Sequence, residues 1–461
     1  MHRGGLTDVR ARGVAALPTL GMIWMLGACR SAGSPAPLAA PPPAPGAVAL
    51  GAEVDASTMD RKLIFGYQGW FGCPDDGSPL RHWEHWFRRD VPASPATVHV
   101  DFWPDTSELD PDEHCVTPLR LRDGRPASVY SAYNPKTVNR HFRWMKEYGL
   151  AGVFLQRFTG GLRSAGTRGF RDGVLHNVRA GAEAHGRVFA VMYDISGQRE
   201  GIVETLKQDW IHLVDELRVT ESPRYLRHRG RPVLTIWGFG FHDRHGTPAD
   251  AAELIEFFKN NPDPRYRVTL VGGVPSRWRE RGYDTKRIPE WDRVYRAFDV
   301  ISPWTVGRFR DAPTTDRFYR KVIARDLDAL RGSGIEYLPV VFPGFSWHNL
   351  KEGSSPFNKI PRRGGRFFWR QVQNALRAHS TMLYGAMFDE VDEGTAMYKL
   401  GASPSEVPSE PGFVTLDVDR EPVPSDWYLR LAGEAQKLLR GQPMPAGDLP
   451  LALPGNSGGV P

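Results

Sequence analysis

The sequence predicts an α/β fold, a (β/α)8 TIM barrel with a long insertion after the first strand. Two observations carry this. Eight short apolar, β-branched runs recur at Leu63–Tyr67, Gly152–Gln156, Val188–Tyr193, Val233–Ile236, Val268–Gly272, Val300–Pro303, Tyr337–Val341 and Leu383–Phe388. Most lack polar alternation, which is the pattern of strands covered on both faces. Stretches of helical periodicity lie between them, and eight strand–helix units suit a barrel. An open doubly wound sheet is the rival fold. No Gly-x-Gly-x-x-Gly follows the first run, so a dinucleotide site has little support.

The elements follow in chain order. After Leu63–Tyr67 the chain runs through an insertion from Gly69 to about Tyr133, inside which Thr97–Trp103 also reads as a strand. The alternative gives Thr97–Trp103 to the barrel and removes one later run. Val138, Phe142 and Met145 recur at i, i+4 and i+7, and Gly149 follows Tyr148 as a C-cap before the second run. Ile323, Leu327 and Leu330 repeat the pattern, with Gly332 and Gly334 leading into the seventh run. A closing helix is expected from Asp426 to Leu439, capped by Ser425 or Asp426.

The termini set the expected compartment. Arg3, Arg10 and Arg12 precede a mostly apolar stretch from Val14 to Leu26, which ends in Leu26-Gly27-Ala28-Cys29. That is the layout of a bacterial lipoprotein signal over residues 1–29, with Cys29 lipidated. An ordinary cleaved signal with an incidental cysteine is the alternative. Residues 30–59 form a Pro/Ala-rich linker, and residues 441–461 read as a disordered tail. The globular domain is expected over 60–440, exported and held to a membrane by its lipid.

Net charge is +6, with acids and bases interspersed. A nucleic-acid partner is not expected, because its footprint would cluster on one face. Three cysteines are present; with Cys29 lipidated, Cys73 and Cys115 remain for one disulfide in an exported domain. No His/Cys spacing suits zinc and no His-Glu-x-x-His occurs, so neither metal nor cofactor is expected. The oligomeric state is not readable, and a monomer is the working expectation. Fourteen tryptophans, many beside Gly, Pro, His or Asp, suggest faces for sugar rings; filling a large core is the other use of Trp.

Barrel enzymes place chemistry at the C-terminal ends of their strands. Aromatic and polar residues gather there in this sequence. Tyr67 and Trp70 follow the first run, Gln156 the second, and Tyr193 and Asp194 the third. Trp304 follows the sixth run, and Trp347 and His348 the seventh. Trp70, Trp304 and Trp347 are candidate sugar platforms, and Gln156, Tyr193, Asp194 and His348 candidate hydroxyl binders. Tyr67 is a candidate partner of the catalytic carboxylates, and Trp237 reads as core. After the eighth run comes Phe388-Asp389-Glu390-Val391-Asp392-Glu393-Gly394-Thr395. Glu390 and Glu393 would face apart on a strand but converge in a turn, which Gly394 allows. Burial of two like charges would then separate their protonation states. Glycosidases employ such a pair. A helix cap or calcium loop using Asp389 and Asp392 is the other reading, although the spacing is not that of an EF-hand.

This last stretch resembles the "NEWxEGT" signature of glycoside hydrolase family 99, the endo-α-mannosidase and endo-α-mannanase family, which is related to family 71. Phe65-Gly66-Tyr67-Gln68-Gly69-Trp70-Phe71 is similar to its "YYPWY" segment, His82-Trp83-Glu84-His85-Trp86 to its "HW", and Phe102-Trp103-Pro104 to its "YP". The resemblance spans roughly 60 to 435 and implies a (β/α)8 barrel. It implies Glu393 as general acid/base and Glu390 as the carboxylate that takes the proton of the sugar's 2-hydroxyl. That hydroxyl attacks C1, and water opens the anhydro sugar with net retention. Asp389, Val391 and Asp392 stand where the family has other residues; Asp389 is therefore a further candidate for substrate contact. Two rivals complete the reading. One is a non-catalytic carbohydrate-binding surface lipoprotein. The other is a two-carboxylate glycosidase with Asp194 or Asp389 as nucleophile.

Overall fold

The computed structural model describes residues 52–454. Cys29, the whole signal segment, most of the linker and the last seven residues lie outside the described residues.

The apolar runs form strands because their β-branched and aromatic side chains are buried on both faces. The strands are β1 (Leu63–Tyr67), β2 (Cys115–Arg120), β3 (Pro126–Val129), β4 (Gly152–Phe158), β5 (Val188–Asp194) and β6 (Arg227–His228). They continue as β7 (Arg231–Trp237), β8 (Thr269–Val274), β9 (Val300–Pro303), β10 (Glu336–Tyr337), β11 (Val340–Val341) and β12 (Leu383–Gly385). The helices are α1 (Pro135–Glu147), α2 (Ala165–His185), α3 (Ile202–Asp215), α4 (Pro248–Asn260) and α5 (Glu290–Tyr295). After them come α6 (Ala312–Phe318), α7 (Ala324–Leu330), α8 (Arg366–Arg377) and α9 (Trp427–Leu439).

One curled, mostly parallel sheet holds ten of the strands, in the order β10-β9-β8-β7-β5-β4-β1-β12-β11, with β6 antiparallel on β7. β1 is an interior strand: Leu63 pairs with Leu383 on one side and Phe65 with Val153 on the other. The strands at the two ends of this order are adjacent in sequence. β10 pairs with β9 and β11 with β12, and only Leu338 and Pro339 separate them. The expected single run Tyr337–Val341 is therefore broken, at a proline that has no N–H to donate to a ladder.

The helices obey local rules. Asn134 caps α1 by accepting from Lys136 N, Pro135 opens it, and Val138, Phe142 and Met145 are buried. Gly149 follows at φ +72°. The Ile323, Leu327 and Leu330 stripe belongs to a longer helical segment, in which a π-turn at Tyr319–Ile323 joins α6 to α7. Asp426 is the N-cap of α9 by position only. Its carboxylate accepts from Tyr148 Oη and Arg430 Nε instead of a helix N–H.

Thr97–Trp103 is not a strand. Thr97 closes a 3-10 turn, and the following peptides reach across to loops: Asp101 and Phe102 N–H both donate to Val391 O. An antiparallel pair, β2 with β3, stands in the same region, and Cys73 is disulfide-bonded to Cys115 at a Cα–Cα distance of 6.3 Å. Both ends of the domain extend past 60–440. Val54 is buried, and Arg224 donates to Val54 O and Glu53. Leu449, Leu451 and Leu453, in the stretch read as a tail, pack against the core, and Gln373 Nε2 donates to Gly447 O. Among the described residues no helix is long and apolar enough to cross a membrane.

Candidate active site

Residues at the C-terminal ends of β4, β5 and β7 and in the loops after β1, β9, β11 and β12 meet around a cavity of about 510 Å3. Its lining includes Gln68, Trp70, Gln156, Asp194, Trp237, Trp304, Trp347, Glu390 and Glu393. The carboxylate pair sits on a turn. Thr395 N–H donates to Glu390 O at 3.0 Å, closing it, and Ser346 N–H donates to Glu393 O at 3.0 Å. Gly394 has φ +68°, and a Cβ there would stand 2.6 Å from Ser346 N. No L side chain fits, so the glycine makes the turn possible. Arg362 braces the exit of the turn by donating to the carbonyls of Gly394 (2.9 Å) and Ala396 (2.7 Å), with its guanidinium between the rings of Phe102 and Tyr428.

The two glutamates are held differently. Both oxygens of Glu390 accept hydrogen bonds, one from Gln68 Nε2 and the other from Thr395 Oγ1. The Glu393 carboxylate receives none from the described residues and is left to the cavity. Burial, with Glu393 and Asp392 beside it, pushes Glu390 well above the usual carboxylate range, against the two donors. Burial and Asp392 raise Glu393 to about 7. Burial raises Asp194 to about 6. Such a pair titrates as a unit and retains a proton near neutral pH. Four buried polar atoms in the lining have no hydrogen-bond partner: Gln68 Oε1, Trp70 Nε1, Gln156 Oε1 and Trp237 Nε1. Two acceptors and two donors on one wall are suited to a hydroxylated ligand.

Among solved structures, the chain is similar to the GH99 endo-alpha-mannosidase from Bacteroides thetaiotaomicron in complex with bis-tris propane. Identity is 15% and the TM-score 0.59, over 83% of this chain and 98% of that one. A second structure of that enzyme matches at 14% identity with the same TM-score and coverage. The chain shares its fold with that enzyme. No protein-family profile and no curated protein sequence matches the chain.

Within this glycoside hydrolase fold, Trp70, Gln156, Asp194, Trp304, Trp347, Glu390 and Glu393 meet at the cavity. Four other candidates do not. Tyr67 is fully buried, with its Oη 2.8 Å from His141 Nδ1 on α1, and Tyr193 Oη donates to Asp209 on α3 at 2.7 Å. Both lie one residue from cavity-lining positions, Gln68 and Asp194, and the pleat turns them to the helix layer. His348 Nδ1 lies 2.7 Å from Ser355 O, which fixes the ring within its own loop. Asp389 is fully buried and accepts from the N–H of Gln68 (2.7 Å) and Gly69 (2.9 Å), fastening the turn of Glu390 and Glu393 to the end of β1. It positions the site and is closed to substrate. Trp70 is not a platform either. Its ring is stacked on His85 at 3.7 Å and on Phe158 at 5.1 Å, and Nε1 is the atom left without a partner.

The sequence reading missed several residues. Trp237, assigned to the core, lines the cavity with its Nε1 unpartnered. Gln68 was visible as the alternate neighbour of Tyr67. Asp243, Arg244, Tyr283, Arg308 and Lys359 come from long loops with no periodicity to mark them. Asp101 lies inside the presumed strand. It accepts from Ser346 Oγ and from the N–H of His348 and Asn349, and so holds the loop that presents Trp347. Among the described residues no group of three or more His, Cys, Asp or Glu could hold a metal ion.

Proposed function

We propose that this protein is an exported glycoside hydrolase that cleaves α-linked glycans, α-mannosides first among them, with retention of configuration. The observation that carries the proposal is the pair Glu390 and Glu393 on one turn at the cavity, the first held by two donors and the second free. The donors to Glu390 oppose the rise that burial gives it, and the proposed reaction assigns the shared proton to Glu393, the carboxyl without donors. In the reaction Glu390 takes the 2-hydroxyl proton while O2 bonds to C1. The glycosidic C–O bond breaks, and its oxygen receives the Glu393 proton. Water then opens the 1,2-anhydro sugar at C1, giving its proton to Glu393 while Glu390 returns one to O2. The partner is thus an oligosaccharide or polysaccharide.

The sheet supports the same reading. Taken as one strand bent at Pro339, β10 and β11 join β9 to β12 and close eight parallel staves, with residues between β1 and α1 as the insertion. Attachment through Cys29 completes the proposal; fatty-acid labelling in a bacterial host that Cys29→Ser abolishes would support it, and labelling that survives would remove it. The activity is tested on a panel of α-mannans and other α-linked polysaccharides with Glu390→Gln and Glu393→Gln alongside. Cleavage abolished by both, with unchanged melting, is the expected result. Cleavage that survives both would move the chemistry elsewhere. No cleavage of any glycan would favour a carbohydrate-binding protein.

A further inference from the structure

We propose that Asp392 and His85 form a positioning pair, which ties the catalytic turn to Trp70 and keeps a negative charge beside Glu390 and Glu393. The inference rests on those two glutamates being the reacting groups. Asp392 lies on their turn and is 1% exposed. Its Oδ2 is 3.0 Å from His85 Nδ1, and its Oδ1 is buried without a partner. No lysine or arginine among the described residues pairs with it. Among the described residues His85 is the only polar side chain that reaches it, and that ring stacks on Trp70 at 3.7 Å with 7° between planes. Indole, imidazole and carboxylate therefore form one unit, running from the cavity wall to the turn.

His85 is itself anchored. Its Nε2 is 3.9 Å from Glu84 Oε1, and Glu84 is tied to His82 and Arg89. His85 has φ +61°, a left-handed backbone that a non-glycine residue adopts rarely. Other groups also act on these carboxylates. His99 and Tyr398 sense the charge of Asp392. Asp389 lies on the same turn, and Lys351, Asp194 and Arg244 act on Glu393. A buried charge between two carboxylates has one plain consequence. It makes removal of their shared proton harder, so the acid stays protonated and neutral to higher pH.

Two substitutions separate the charge from the tether. Asp392→Asn leaves an acceptor for His85 and removes the charge. His85→Phe keeps a ring on Trp70 and removes the donor, and His85→Gln restores a donor. The proton count is read without turnover, by 13C NMR titration of glutamate-labelled protein, with the two resonances identified through Glu390→Gln and Glu393→Gln. It is read again in the alkaline limb of kcat/KM. In Asp392→Asn the Glu393 midpoint and the alkaline limb should both fall by about one pH unit, with KM unchanged. In His85→Phe kcat should fall about tenfold as the turn loses its tether, with partial recovery in His85→Gln. If the midpoints fall but the parent cleaves no glycan, the proposed activity fails and the pair stands. Midpoints and limb unmoved in a folded Asp392→Asn protein would overturn the pair.

Discussion

Two buried acidic clusters lie on opposite sides of the same two strands, and they are built on opposite principles. In the helix layer, Arg157 donates to Asp209 at 2.6 and 2.8 Å and to Asp172 at 2.9 Å. His212 reaches Asp172 at 3.0 Å, and Tyr193 Oη donates to Asp209. Each acid there has a cationic or hydroxyl partner. Across the sheet, Glu390, Glu393 and Asp194 share the cavity with no cation at ion-pair distance among the described residues. Their partners are a glutamine, a threonine, a serine amide, or nothing. The first cluster holds the fold together. The second holds protons, because crowded carboxylates without cations cannot all ionise. A single step along β4 or β5 moves a side chain between them: Gln156 to Arg157, Tyr193 to Asp194.

The contrast is broken most severely on the structural side. Arg157→Met should destabilise by about 3–5 kcal/mol, since it leaves the buried Asp209 with a hydroxyl as its partner and no cation. Urea melts should register the loss. Any folded fraction should keep its pH profile, because the cavity acids are untouched. A pH profile that moved with Arg157 would mean that the two clusters act as one.

The second test uses pH. Glu393 is raised to about 7 from an ordinary value near 4.5. A carboxyl raised on folding contributes stability that is fully present below its unfolded value and is lost as pH climbs through the folded one. The parent should therefore lose stability between pH 4.5 and 7 relative to Glu393→Gln, by no more than about 3 kcal/mol. Exposure of Glu393 to the cavity keeps the effect below that limit. Melting temperatures at pH 4.5 and 8 measure the slope, and parallel curves for the two proteins would count against the raised value. The third test is local. Gly394→Ala should cost about 1–3 kcal/mol by straining the turn, and kcat should fall while the helix-layer cluster keeps its hydrogen-exchange protection.

Much of this arrangement was legible in the residues. Short apolar runs marked the strands, and Gly394 after two glutamates marked a turn able to bring them together. The limits had physical causes. Strand parity was not assigned, so Tyr67 and Tyr193 were placed with Gln156 and Asp194, although their faces alternate. Thr97–Trp103 has the composition of a strand, but its peptides donate to Val391 O and its Asp101 side chain accepts from Ser346. Asp389 looked like a substrate contact because sequence does not show that two backbone amides already occupy it. The tail leucines 449, 451 and 453 alternate over only five residues among prolines, too short a run to mark an element, and they pack against the core surface.

In the proposed reaction Glu393 gives a proton to the leaving oxygen and Glu390 takes one from the sugar. The most direct measurement compares kcat/KM for two α-mannosides, one with a natural sugar leaving group and one with a dinitrophenyl group that departs without protonation. Glu393→Gln should lose about 1,000-fold on the first and recover most of that on the second, whereas Glu390→Gln should stay impaired on both. Equal losses for Glu393→Gln on both substrates, or none on the first, would contradict the assignment.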